Sequence, residues 1–135
     1  MLVFSEEWVT EFCKKINGNA AYAEAASWWE GDFLFVCTPS GNCPDTITMF
    51  VGLLHGKCTG SRIIKQGEEA PKTEFVVQGT YDNWMKVLKK EMDPIQGMMA
   101  GKLKLTGNMA KIMRAVKAAQ ELVNSTAMVE NVEFY

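Results

Sequence analysis

Four strand-like runs follow one another between Trp28 and Gly79, and helical periodicity brackets them on both sides. This switch of hydrophobic period, from 3.6 to 2 and back, restricts the fold class more than any single motif does. The first run, Trp28 to Thr38, is aromatic and β-branched, with Phe33 and Phe35 on one face and Leu34 and Val36 on the other. The second, Ile47 to His55, is almost continuously apolar, which predicts a strand covered on both faces. His55-Gly56-Lys57 can turn the chain into a third run reaching Lys65, and Thr73 to Gly79 forms the fourth. The loops PSGNCPD and QGEEAPK separate them by composition. Successive strands joined by short turns predict an antiparallel meander.

The flanking segments carry helix signals. Ser5 can cap a helix with Glu6 and Glu7 in its first turn and Phe4 and Val9 at staple positions. Trp8, Phe12, Cys13 and Ile16 share one face of it until Asn17-Gly18, and an alanine-rich turn follows over residues 20–26. Thr80 can cap a helix bearing Tyr81, Trp84, Met85 and Leu88, and Asp93-Pro94 can open a short one in which Ile95, Met98 and Met99 point the same way. Lys102 to Thr106 alternates as a fifth strand with Leu103 and Leu105 inward. Gly107-Asn108 then launches a last helix with Met109, Ile112, Met113, Val116 and Val123 in one stripe. The expected class is α+β, one sheet with helices packed on it, in a single domain over residues 1–135.

Chemistry is scarce along the chain. His55 is the only histidine and sits at a turn beside Gly56, a poor place for a general base. No nucleophile elbow, phosphate-binding glycine loop or dinucleotide fingerprint occurs, and the acidic residues form no catalytic pair. The expectation is a protein that is not an enzyme and needs no cofactor and no metal. One metal alternative is the set Cys37, Cys43, His55 and Cys58, whose spacing matches no zinc knuckle. No apolar run approaches the length of a membrane span, and MLVFSEEW lacks signal-peptide features, so a cytoplasmic location is expected, with all four cysteines as free thiols. The net charge of −2 conceals eight basic residues between Lys86 and Lys117 against only Glu91 and Asp93. A solvated face explains such a run, and an anionic membrane surface is the partner it would otherwise suit. No nucleic-acid motif accompanies it.

Methionine is the conspicuous residue, with Met85, Met92, Met98, Met99, Met109 and Met113 inside twenty-nine positions. Thioether side chains fill irregular space and adapt to ligands of varied shape, so the cluster fits either a filled core or a soft cavity wall.

The segment YDNWMKVLKKEMDPIQGMMAGKLKLTGNMAKIMRAVKAAQELV, Tyr81 to Val123, resembles the sterol carrier protein 2 (SCP-2) lipid-transfer family. The resemblance lies in Asp93-Pro94 opening a short helix, Gly101-Lys102-Leu103-Lys104 as the strand, and Gly107-Asn108-Met109 turning into the final helix. The N-terminal half is similar only in plan. The resemblance implies a five-stranded, mostly antiparallel sheet covered by about five helices, with an apolar cavity that takes a fatty acid, fatty acyl-CoA or sterol without catalysing a reaction. It makes cavity-wall candidates of Trp84, Leu88, Ile95, Met98, Met99, Leu103, Leu105, Met109, Ile112 and Met113. Inward strand residues Phe33, Phe35, Met49, Val51, Phe75 and Val77 would form the opposite wall. Lys102, Lys104, Lys111 and Arg114 could then meet a carboxylate, a CoA phosphate or a membrane. An accessory subunit of a lipid-metabolism enzyme with a vestigial cavity is the alternative. The apolar tail from residue 126 to 135 is expected to fold over the cavity mouth or onto a partner subunit, as in a homodimer.

Overall fold

The computed structural model describes residues 1–135 as one five-stranded sheet and six helices. In chain order these are α1 (Glu6–Asn17), α2 (Ala20–Ala25), β1 (Phe33–Thr38), β2 (Ile47–Leu54), β3 (Lys57–Ile64), β4 (Phe75–Thr80), α3 (Tyr81–Leu88), α4 (Pro94–Met99), β5 (Lys104–Thr106), α5 (Met109–Met113) and α6 (Val116–Ala127). The α+β expectation holds.

The sheet is mixed, in the order β3-β2-β1-β4-β5. β1, β2 and β3 form the expected antiparallel run, turned by His55 and Gly56, both at positive φ (48° and 81°) as a two-residue hairpin loop requires. β4 departs from the meander. It lies parallel to β1, Phe33 beside Phe75, and β5 is antiparallel to β4. The ten residues between Ile64 and Phe75 reach about 33 Å when extended, enough to return across the sheet. Placing β4 there sets the fully buried Phe75 and Val77 beside the aromatic β1, in the centre of the sheet. Beside β3, whose exposed residues include Lys57, Thr59 and Arg62, they would sit at an edge.

Period-2 alternation sends Phe33, Phe35, Met49, Val51, Leu53, Phe75 and Val77 to one face, against the helices. The opposite face is only partly covered: Phe50 and Thr48 are half-buried and Leu54 is exposed, so β2 is not sealed on both sides as its apolar run suggests. Strand β1 begins at Phe33, not Trp28, because Trp29 and Gly31 serve the β2 end through irregular contacts, Gly31 N–H donating to Leu53 O at 3.3 Å and His55 N–H to Trp29 O at 2.7 Å.

The helix caps follow the sequence signals. Ser5, Thr80, Asp93 and Asn108 each accept a backbone N–H at the start of α1, α3, α4 and α5. At Gly107, φ is +132° and an added Cβ would lie 2.5 Å from the Phe75 ring, so the turn into α5 needs glycine twice over. The last helix is not continuous. It breaks at Arg114 and Ala115 into α5 and α6, and Ala115, unable to cap, opens α6 without a side-chain hydrogen bond.

Two further expectations are corrected. Cys13 and Cys58 form a disulfide joining α1 to β3, because α1 packs directly on β3, with Ser61 Oγ donating to Val9 O at 2.7 Å. Only Cys37 and Cys43 are free, both buried. Residues 128–135 of the tail fold back on the N-terminus and α3, while Thr126 remains in α6 and borders the cavity. Val3 N–H donates to Glu133 O at 2.8 Å, Glu133 N–H to Met1 O at 2.7 Å and Tyr135 N–H to the Tyr81 hydroxyl at 3.0 Å. Val129 is buried in the core.

Candidate functional site

An apolar cavity of about 110 Å³ lies between the sheet and the helices. Its wall comprises 24 residues, 22 of them hydrophobic, and no charged side chain is among them. Three layers build it.

The sheet supplies Phe33, Phe35, Met49, Leu53 and Val77. Phe33 and Phe35 stack at 5.1 Å, and Trp29 stacks on Phe33 at 5.8 Å, so this floor is largely rigid aromatic surface. The N-terminal wall comes from Trp8 and Phe12, four residues apart on one side of α1, and from Phe4, which precedes the Ser5 cap with φ of 60°. Trp8 meets Phe4 edge-on at 5.1 Å and stacks on Phe12 at 5.2 Å. Tyr22 of α2 adjoins them.

The C-terminal half makes the roof. Trp84, Val87 and Leu88 come from α3, then Pro94, Ile95 and Met98 from α4, with Leu103. Trp84 is pinned by its indole N–H, which donates to Val36 O at 2.9 Å. Asp93 holds the start of α4 through hydrogen bonds from Ile95 N–H (2.9 Å) and Gln96 N–H (3.1 Å), which aims Ile95 and Met98 inward. Ile112, Ala115, Ala118, Ala119, Leu122, Val123 and Thr126 complete the roof along α5 and α6.

Of the sixteen wall candidates, Phe33, Phe35, Met49, Val77, Trp84, Leu88, Ile95, Met98, Leu103 and Ile112 border this cavity. The other six do not. Val51 and Phe75 are fully buried on the inward face of the sheet but pack into solid core. Leu105 and Met109 are half-buried beside that core. Met99 and Met113 point to solvent, 64% and 43% exposed. Met99 follows Met98 by one residue, about 100° round the helix, so the two cannot share the inward face. Met113 stands on the outer side of the α5–α6 break, and the alanines of α6 take the inward positions instead.

The residues that sequence patterning missed are mostly aromatic or small. Trp8 and Phe12 were visible as a helical stripe, but a stripe does not say whether it faces a void. Alanine gives even less signal, although three alanines in the roof are where side-chain volume is lacking.

The candidate polar groups lie elsewhere. Lys111 donates to Glu74 Oε2 at 2.8 Å and to Glu30 O, and its ammonium rests 4.9 Å from the Trp29 ring centroid. It is committed to holding α5 against the sheet. Arg114 covers the exposed Trp28 at 5.9 Å, while Lys102 and Lys104 are exposed. His55 Nε2 meets Glu30 Oε1 at 2.8 Å on the surface, with no nucleophile hydrogen-bonded to it. The set Cys37, Cys43, His55 and Cys58 is not gathered as a metal site, since Cys58 is bonded to Cys13 and His55 to Glu30. Burial pushes the Cys37 thiol up to about 12, with the neighbouring Cys43 thiol adding to the shift. No helix is long and apolar enough to cross a membrane.

The architecture agrees with known proteins. A family model described as the SCP-2 sterol transfer family matches residues 9–120. A crystal structure of a sterol carrier protein 2 is similar over 94% of this chain and 98% of that one, at 32% identity and a TM-score of 0.84. The protein TT1886 of Thermus thermophilus, described as possibly a sterol carrier protein, is similar over 95% of this chain and 90% of its own, at 31% identity and a TM-score of 0.84. UbiJ-SCP2, a ubiquinone synthesis protein, shares the fold at 12% identity over 82% of this chain and 84% of its own, with a TM-score of 0.53. No curated protein sequence matches the chain. The match of the family model across most of the chain, together with a shared fold at over 30% identity, places this protein in the SCP-2 sterol transfer family.

Proposed function

We propose that the chain is a non-enzymatic lipid carrier, holding a fatty acid, a fatty acyl-CoA or a sterol-like molecule in the cavity and releasing it unchanged. The observation that carries this reading is a wall of 24 residues without a single charged side chain, in the interior of a domain of the SCP-2 family. Burying about ten methylenes there would contribute roughly 8 kcal/mol, which corresponds to micromolar affinity before ordering costs.

A volume of about 110 Å³ is smaller than a long acyl chain requires, since roughly 150 Å³ accommodates a benzene ring. Loading therefore requires the roof to yield. The soft residues Met98 and Leu88 and the uncapped junction at Ala115 are where it is weakest. Outside that junction stand Met113 and Val116, both exposed, with Arg114 and Lys117 beside them and Trp28 under Arg114. Apolar side chains interleaved with cations suit transient contact with an anionic membrane surface, from which a lipid would enter.

The small volume also supports a second reading, an accessory subunit whose cavity has become vestigial, a place to which the ubiquinone synthesis relative lends a precedent of fold. Mass spectrometry of the protein purified under non-denaturing conditions tests the two. Co-purifying or readily reloaded lipid at close to one equivalent is expected of a carrier. A cavity that stays empty in excess lipid would overturn the carrier reading and leave the accessory one.

A further inference from the structure

The cavity wall is apolar but not without polar atoms, and these divide into satisfied and unsatisfied groups. Trp84 donates its indole N–H to Val36 O, Trp29 donates its own to Gly31 O at 2.9 Å, and the Thr126 hydroxyl donates to Val123 O at 2.6 Å. The Tyr22 hydroxyl and the Trp8 indole N–H make no hydrogen bond, although these residues are only 1% and 2% exposed. No side-chain polar atom that is fully sealed lacks a partner. Each of the two groups therefore keeps a little accessible surface, and both residues line the cavity.

Tyr22 is held there by built structure. Asn19 caps α2 by accepting Tyr22 N–H at 3.2 Å. Its amide reaches across to α6, donating to Ser125 Oγ at 3.1 Å and to Glu121 O at 3.3 Å. Asn19 and Ser125 are both buried, so α2 is fastened to the roof directly before the tyrosine ring. Desolvation by burial raises the phenol well above its ordinary range, which keeps the proton on the oxygen at any physiological pH. Leaving a hydroxyl and an indole N–H unpaired against apolar space is costly, and a ligand atom that accepts from them removes that cost.

Resting on the lipid-carrier reading, we infer that the buried end of the ligand is a neutral oxygen, a hydroxyl or carbonyl, accepting a hydrogen bond from the Tyr22 hydroxyl, with the Trp8 indole N–H as a second donor on the same wall. An ionised carboxylate does not suit this end. No cation lines the cavity, and Lys111 is occupied by Glu74 and Glu30 outside it. Neutral lipids with one oxygenated head, of which a long-chain alcohol is the simplest, are the class the wall selects.

The test uses 1-hexadecanol, hexadecane and hexadecanoate at pH 8, delivered from cyclodextrin, with displacement of Nile red as the readout. The wild-type chain should prefer hexadecanol to both others. Tyr22→Phe should weaken hexadecanol binding by about 3- to 10-fold and leave hexadecane within about 2-fold. Because the hydroxyl has no partner in the protein, the same variant should unfold at no lower temperature than wild type. Trp8→Phe, which retains a ring at the wall, should show a loss specific to hexadecanol. Equal losses for alcohol and alkane, no loss for either, or a wild-type preference for hexadecanoate would overturn the inference while leaving the carrier reading intact. If the wild-type chain binds none of the three, this inference falls, and the carrier reading stands or falls on the lipid mass spectrometry alone.

Discussion

The floor of the cavity and its roof are made by different rules. On the floor, alternation along β1, β2 and β4 fixes which residues face inward, and each aromatic ring is braced by the next, as in the stack of Phe33 on Phe35 at 5.1 Å and on Phe75 at 5.2 Å. In the roof, short helices meet at a break, and the inward side is lined by Ala115, Ala118 and Ala119 with soft Met98 and Leu88. A packed aromatic sheet resists change. A roof of small and flexible residues can open, and this is where a carrier would exchange its ligand.

The largest effect should come from the sheet layer that braces the floor. Phe75→Ala removes a fully buried ring in contact with Trp29 and Phe33, and should cost about 3–5 kcal/mol in denaturant unfolding. A loss below about 1 kcal/mol would mean the floor is not the rigid half. Next is the clamp that holds α1 to β3. Replacing Cys13 and Cys58 together by serine opens a link across 45 residues and should destabilise the oxidised chain by about 2–4 kcal/mol.

Roof substitutions should act on binding more than on folding. Ala118→Leu places three carbons into a cavity of about 110 Å³, so stability should change by less than about 1 kcal/mol while a C16 ligand binds at least about 10-fold more weakly. Destabilisation as large as that of Phe75→Ala would erase the contrast between the two layers.

The smallest changes in stability concern groups at the margins. Met99→Gln and Met113→Gln alter exposed side chains and should shift stability by no more than about 0.5 kcal/mol. At the floor's edge, Cys37 keeps its proton because burial raises it from an ordinary value of 9.0 to about 12. The raised value favours the folded state fully below pH 9, and that contribution is lost as pH rises through about 12. Alkylation at pH 8 should be at least about 100-fold slower for Cys37 in the folded chain than after unfolding.

The same contrast explains what could be read from the sequence. Strand faces were legible because a period of 2 has no phase drift: Phe33, Phe35, Met49 and Val77 all reach the cavity. The caps at Ser5, Thr80, Asp93 and Asn108 were legible because capping is local chemistry. The pairing of β4 with β1 was hidden, since a loop's composition does not state which edge the next strand will join. In the roof, the break at Arg114 shifted the phase, so Met113 and Val116 turned outward while Ile112, Val123 and the alanines faced in. The Cys13–Cys58 bond was hidden too, because the approach of α1 to β3 is a tertiary fact.

The central claim is that ligand occupies the space between floor and roof, and methionine methyl NMR reads it directly. Met49 in the floor and Met98 in the roof border the cavity, whereas Met99 and Met113 stand in solvent. On addition of 1-hexadecanol to protein labelled at its methionine methyls, the Met49 and Met98 signals should shift together and saturate at one equivalent. Those of Met99 and Met113 should stay in place. Shifts confined to Met99 and Met113, with Met49 and Met98 unmoved, would contradict the claim and put the lipid on the surface.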